Sequence, residues 1–364
     1  MQRQQQLSQW LHSLVPDELF TITPASADAS FRRYFRATFA DGHTRIVMDA
    51  PPQHEDCRPF LHVVKLFEDA GTHVPHVYAQ DLEQGFLLLS DLGNTTYLQA
   101  LTQDNARELY GAATNALINI QLASKEHELP PYDEALLRRE LNLFPEWYVA
   151  KHLGVTLNEK QAAKLEECFQ RILRNNLAQP RVYVHRDYHS RNLMVVDPTR
   201  WGCARECGRI DQTATPAISS LRGERVVAVE PNPGILDFQD AVYGPITYDL
   251  ASLFKDAYIR WEEEQIVDWL IRYWEKARKA GLPVRTDFGE FYRDYEWMGV
   301  QRHIKVLGIF ARLYHRDGKE GYLKDIPLVF DYLHRACTRY IDLKPLLNLL
   351  DTLEPRITQE GYTF

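Results

Sequence analysis

The run Val184-His185-Arg186-Asp187-Tyr188-His189-Ser190-Arg191-Asn192, followed by Gly234-Ile235-Leu236-Asp237-Phe238, constrains this chain more than any other feature. His185-x-Asp187-x4-Asn192 has the residue types and order of a phosphoryl-transfer catalytic loop, and Asp237 stands where a metal-binding aspartate follows such a loop. Moving a γ-phosphoryl group needs an acceptor held in line, a carboxylate for the acceptor's proton, and a metal on the phosphates. Asp187 is the candidate base. Asn192, through its amide oxygen, and Asp237 are candidate ligands for Mg²⁺, a hard cation that prefers such oxygens. His185 reads as packing and hydrogen-bonding support. One such triplet arises by chance on many polar loops, but four residues in this order make a specific signal for ATP-dependent transfer.

The pattern around the motif sets the fold class. Leu7, Trp10, Leu11 and Leu14 recur at helical spacing before Pro16. Short β-branched or aromatic runs near 20–23, 33–39, 45–50, 76–80 and 86–90 then read as strands, with one helix near 59–70 between them. From Thr95 onward helical periodicity dominates, as in Ile266, Trp269, Leu270, Tyr273, Trp274 and Ala277, closed by Gly281. Short strands at 181–184, 193–196 and 234–238 bracket the catalytic-looking residues. The expectation is an α+β fold, two-lobed and protein-kinase-like, with a small antiparallel-sheet N-lobe over 1–92 and a larger, mostly helical C-lobe over 93–364. Residues 198–233, rich in Gly, Pro and Ser, read as an insertion into a hairpin of the second part.

Charge and cysteine usage exclude several classes. A net charge of −8 argues against nucleic acid as a partner, because neutralising a phosphate backbone takes clustered Lys and Arg. No run of eighteen uncharged apolar residues occurs and the N-terminus has no signal-peptide core, which predicts a cytoplasmic protein with no membrane partner. Five scattered cysteines read as reduced thiols, and the Cys203/Cys207 pair lacks neighbours to complete a zinc site.

The nucleotide side is less explicit. No Gly-x4-Gly-Lys-Ser/Thr loop occurs. In Ala25-Ser26-Ala27-Asp28-Ala29-Ser30-Phe31-Arg32-Arg33, the amides and hydroxyls of Ser26 and Ser30 are candidates to line phosphates, with Arg32 or Arg33 adding charge. An ordinary polar hairpin is the competing reading. Leu89, Ser90 and Asp91 lie where an interlobe hinge is expected, and their backbone is a candidate to read an adenine edge. Asp240 reads as support for its own loop, and Asp249 as a helix cap or a brace for the catalytic loop.

These residues resemble the aminoglycoside phosphotransferase and choline kinase superfamily over essentially the whole chain apart from the insertion. Longer strings, including Ser26–Arg36, Val47-Met48-Asp49-Ala50-Pro51-Pro52, Phe144-Pro145-Glu146-Trp147-Tyr148 and Gly299-Val300-Gln301-Arg302-His303, are similar to the bacterial anomeric N-acetylmuramate/N-acetylglucosamine kinases. The resemblance implies phosphorylation of the anomeric hydroxyl to the α-1-phosphate in peptidoglycan recycling, with a sugar-1-phosphate nucleotidyltransferase consuming the product. Sugar binding would then fall on Arg139, Glu140, Trp147, Arg302 and His303, hydrogen-bonding groups and an aromatic face on two helices. Trp147 and Phe144, three residues apart, also fit a helix core. Two departures stand out. The strand that carries a phosphate-binding Lys in protein kinases reads Arg45-Ile46-Val47-Met48-Asp49, leaving Arg32 or Arg33 as the substitute. The insertion separates Asn192 from Asp237. Competing readings are an aminoglycoside or amino-alcohol kinase and a nucleotide-binding pseudokinase.

Overall fold

A computed structural model of the chain describes residues 2–27, 31–196 and 232–354. The chain forms two compact units. Unit 1 comprises Met1–Ala123 and Arg191–Asp240, and unit 2 comprises Ser124–Ser190 and Ala241–Phe364. Unit 1 thus extends past residue 92 and takes in the Asn192 and Asp237 segments, while Asp187 belongs to unit 2.

Unit 1 is built on five antiparallel strands, β1 (Phe20–Ala27), β2 (Arg33–Phe39), β3 (Thr44–Asp49), β4 (Val77–Asp81) and β5 (Phe86–Ser90), in the order β1-β2-β3-β5-β4. Strand alternation sends Phe35, Ala37, Phe39, Val47, Phe86 and Leu88 to one face. There they pack with Leu7, Trp10, Leu11 and Val15 from helix α1 (Gln2–Leu14) and the turn after it. Each fully buried Leu, Val or Phe side chain among them contributes about 1.5–3 kcal/mol. Helix α2 (Cys57–Asp69) starts at Asp56, whose carboxylate accepts the N–H of Arg58, and buries Phe60, Val63, Val64 and Phe67. Its Phe60 and Phe67 rings meet Phe238, with centroids 5.1 and 5.7 Å apart. Helices α3 (Tyr97–Ala100) and α4 (Ala106–Leu122) complete this unit's helices among the described residues.

Unit 2 is mostly helical: α5 (Glu134–Leu143), a π-helical segment (Phe144–His152), α6 (Glu159–Leu177), α7 (Tyr248–Phe254), α8 (Glu263–Ala280), α9 (Phe288–Asp317), α10 (Ile326–Arg339) and α11 (Lys344–Leu353). Strand β6 (Arg181–Val184) pairs antiparallel with β9 (Val242–Pro245) and opens the loop that carries Asp187. The 30-residue α9 is buried along most of its length. At Gly308 a Cβ would lie 2.5 Å from the backbone of Leu143, so only glycine lets α9 approach the end of α5. Gly281 closes α8 at φ 87°, as its position after the last periodic residue predicts.

The α+β class expected from the pattern is present, and the strand over 86–90 matches its predicted bounds. Residues 144–152 differ, forming a π-helix where periodicity suggests an ordinary one. Pro145 has no N–H for an α-turn, and the segment closes with Leu153 N–H donating five residues back to Tyr148 at 3.0 Å. The predicted insertion lies outside the described residues for 198–231. Its flanks form a hairpin in which β7 (Leu193–Met194) pairs antiparallel with β8 (Gly234–Ile235). Among the described residues no helix is long and apolar enough to cross a membrane.

Candidate active site

In unit 1 the sheet face opposite α1 opens onto a cleft of about 430 Å³, lined among others by Arg36, Leu89, Asp91, Asn192 and Asp237. The β7–β8 hairpin brings Asn192 and Asp237 together: Leu236 N–H donates to the Asn192 carbonyl at 2.9 Å, and Asn192 Nδ2 donates to Asp237 Oδ2 at 3.3 Å. Gln239 Nε2 donates to Asp237 Oδ1 at 2.9 Å, and an Arg32 guanidinium nitrogen lies 3.7 Å from the same oxygen. Asp237 holds φ 63°, a left-handed backbone that a non-glycine residue adopts at a cost of about 1–3 kcal/mol and that recurs at functional sites. The Asn192 amide here turns its nitrogen to Asp237; turned over, it would set Oδ1 beside that carboxylate, a pair that fits Mg²⁺, which takes one or two protein ligands and completes its shell with water and substrate phosphates. No larger cage of three or more His, Cys, Asp or Glu occurs among the described residues.

The strand register says what stands where a kinase lysine would be. Ile46 lines the cleft, so alternation gives Met48 the same face and Asp49 the other. Asp49 is fully buried beside α1, where Arg3 Nε donates to it at 2.9 Å and Arg33, its cross-strand partner, forms an ion pair. Of the two arginines considered as substitutes, Arg33 is therefore committed away from the cleft, while Arg32 lies beside Asp237. A third, Arg36, lies on the cleft face of β2. Its Nη2 donates to Asp91 Oδ1 at 3.0 Å and to the Gly93 carbonyl at 3.2 Å, and Asp91 Oδ1 also accepts the Gly93 N–H at 2.9 Å. Asp91 is thus an anchor for the 91–93 segment. Leu89 is buried, and Ser90 bonds to the His76 backbone through both its N–H and its hydroxyl. Ser26 pairs with Tyr34 through the β1 backbone, whereas Ser30 lies outside the described residues.

In unit 2 the loop after β6 is held by two buried aspartates. Asp249, on α7, accepts the backbone N–H of His185 at 2.7 Å and of Arg186 at 3.0 Å, and Asp256 accepts the N–H of Ser190 at 3.0 Å. His185 is fully buried, accepts the Asp187 N–H on Nδ1 at 3.2 Å and packs edge-on against Tyr188. Arg186 sits at φ 76°. Burial pushes the Asp187 carboxyl up, but Lys305, His189, Arg186 and Arg302 outweigh it and hold the group below the ordinary carboxylate range. For Asp249 the balance reverses. Burial raises it to about 7 and the neighbouring Asp187 adds to the rise, against the two N–H bonds. Asp240 is exposed.

The residues considered for sugar binding do not form one surface. Glu140 is buried, and its carboxylate is taken by Arg186 Nη2 at 2.7 Å, Lys305 Nζ at 3.0 Å and the Tyr132 hydroxyl. Arg302 is buried and donates through Nε to the Ser252 hydroxyl at 2.7 Å. His303 stacks on Tyr332 and contacts the Lys255 carbonyl at 3.1 Å. Arg139 is exposed on α5, and Trp147 is half-buried in the π-helical segment. The sequence reading missed Arg36, Asp256 and Lys305. Arg36 was readable from the period of β2, and Lys305 as a cation one helical turn from Arg302, whereas Asp256 carried no local signal.

Residues 21–204 and 226–283 match the phosphotransferase enzyme family, and the chain belongs to it. It is 48% identical to the N-acetylmuramate/N-acetylglucosamine kinase of Neisseria meningitidis serogroup B, covering 100% of both chains. To the Pseudomonas aeruginosa protein of the same name it is 48% identical, over 96% of this chain and 97% of that one. Among solved structures, Streptococcus pneumoniae choline kinase LicA aligns with a TM-score of 0.60 at 12% identity, covering 92% of this chain and 100% of that one. An ADP-bound aminoglycoside phosphotransferase gives 0.54 at 13% identity, over 89% and 96%. At these identities the structures share the fold.

Proposed function

We propose that the protein is an ATP-dependent sugar kinase that phosphorylates the anomeric hydroxyl of N-acetylmuramic acid and N-acetylglucosamine, giving the α-1-phosphate in peptidoglycan recycling. The observation that carries the substrate is the 48% identity over the whole chain to a kinase named for both sugars. Asp187, Asn192 and Asp237, standing in the order of a phosphoryl-transfer motif, support the chemistry.

Asp187 takes the proton of the attacking sugar hydroxyl. The hydroxyl oxygen bonds to the γ-phosphorus as the bond to the β,γ-bridging oxygen breaks, and ADP leaves. The cationic surroundings of Asp187 keep its carboxylate ionised and able to accept that proton. Asn192 and Asp237 would hold Mg²⁺, which neutralises phosphate charge. Arg32, with a guanidinium nitrogen 3.7 Å from Asp237, serves in place of the strand lysine. The 91–93 segment, fixed by Arg36 and Asp91, presents backbone groups to the adenine. We place the reaction in the cytoplasm, with a sugar-1-phosphate nucleotidyltransferase consuming the product.

The test is transfer of labelled phosphate from ATP to a panel of N-acetylmuramic acid, N-acetylglucosamine, an aminoglycoside and choline. Turnover on the two sugars alone is expected. Preference for the aminoglycoside or choline would overturn the substrate.

A further inference from the structure

Arg186 directly precedes Asp187 and holds a left-handed backbone, φ 76°, which its surroundings must keep in place. Its supports come from three helices. From α7, Asp249 holds the N–H groups of His185 and Arg186, and the Ser252 hydroxyl reaches the Arg186 carbonyl at 3.5 Å. From α5, Glu140 Oε1 takes the Arg186 guanidinium at 2.7 Å. From α9, Lys305 Nζ reaches that same Oε1 at 3.0 Å and donates to the Tyr248 hydroxyl at 3.0 Å. Tyr248 directly precedes Asp249, so this one ammonium joins the side-chain support of Arg186 to its backbone support. One turn earlier, Arg302 fixes the Ser252 hydroxyl.

We propose that Lys305, acting through Glu140 and Arg186, is a positioning residue for the carboxylate of Asp187; this rests on the reading of Asp187 as the base. A buried lysine and a buried glutamate are costly to desolvate, and such a pair commonly stabilises a fold no more than an apolar pair would. Their geometry is instead specific to the loop: two cations share one carboxylate oxygen and thereby set the Arg186 side chain. Lys305 also acts on Asp187 by charge. The charged or titratable groups that act on Asp187 or hold its loop include His185, Arg186 and His189 from the loop itself, Asp249 from α7, Asp256 just beyond α7, Glu140 from α5, and Arg302 and Lys305 from α9. Tyr132 and Tyr248 pack on the Glu140 side of the cluster. Burial lowers the Lys305 pKa, but Glu140, Tyr248 and Asp187 reverse this and keep it charged.

The experiment compares Lys305→Met, Lys305→Arg and Glu140→Gln with the parent chain, with Asp187→Ala as the control for the base. Lys305→Met is expected to lower kcat about 10- to 100-fold, the scale of a small misplacement of a reacting group. KM for ATP and for the sugar should stay within about threefold, and the acidic limb of the kcat–pH profile should move to higher pH. Lys305→Arg should restore both readouts. Glu140→Gln should also lower kcat but leave that limb in place or move it lower, because it removes an anion and no cation. The control should lose about 10²- to 10⁴-fold. An unchanged limb in Lys305→Met, or a kcat loss accounted for by a melted fraction, would overturn the proposal. A raised sugar KM at full kcat would overturn it in favour of sugar contact. Near-parental turnover in Asp187→Ala would instead sink the base assignment, independently of Lys305.

Discussion

Asp249 accepts the backbone N–H of Arg186 at 3.0 Å while its other oxygen accepts that of His185 at 2.7 Å, so one buried carboxylate sets the start of the loop that carries Asp187 from a helix more than sixty residues downstream. Replacing it by alanine would leave two buried donors unpaired, each costing about 1–3 kcal/mol. Asp249→Ala should therefore lower both thermal stability and kcat.

Asp249 also gives a pH signature with a definite sign. Its carboxyl stands at about 7 in the folded chain, above the ordinary 3.8, so the native state binds this proton more tightly than the unfolded chain. The contribution to stability is full below the ordinary value and is lost as pH rises through about 7. Melting curves of Asp249→Asn and the parent chain, compared across this window, should show the variant lacking that decline. A parallel dependence in both would contradict it.

Arg36 bridges the cleft face of β2 to the 91–93 segment. Arg36→Ala should free that segment and raise KM for ATP roughly tenfold, equivalent to about 1.4 kcal/mol, with little change in kcat. Steady-state kinetics at varied ATP checks this. A loss confined to kcat would show that Arg36 acts on the transferred phosphate instead.

Asp237→Ala should abolish magnesium-dependent turnover while leaving the melting temperature close to that of the parent chain, since Asp237 is partly exposed and solvent-screened bonds of this kind add little to stability. Undiminished activity across a magnesium titration would contradict the metal assignment.

The parts of this protein legible in its sequence are those set by local patterns. His185, Asp187, Asn192 and Asp237 stand in a short, ordered motif, and the sheet and helices follow from periods of two and 3.6. Asp249 and Asp256 act on a loop far away in sequence, and nothing local distinguishes a buried carboxylate that binds backbone N–H groups from a helix cap. Glu140, Arg302 and His303 read as sugar-binding groups from side-chain type alone, which carries no sign of burial. They are buried because each has a partner on another element. The segment over 198–233 was legible only as an interruption. The family match omits residues 205–225, and the flanking β7–β8 pairing leaves Asn192 hydrogen-bonded to Asp237. Replacing 200–228 by a short turn should accordingly keep activity within about threefold, an effect of less than 1 kcal/mol. Collapse of turnover in a still-folded protein would assign that segment a part in catalysis.

The most direct measurement is the position of the transferred phosphate. Incubated with ATP, Mg²⁺ and N-acetylglucosamine, the protein should yield a product whose ³¹P resonance couples to the anomeric proton, in the α configuration, with no reducing end left in the phosphorylated sugar. A phosphorylated product that still reduces, or whose phosphorus couples to a proton elsewhere on the ring, would contradict anomeric transfer.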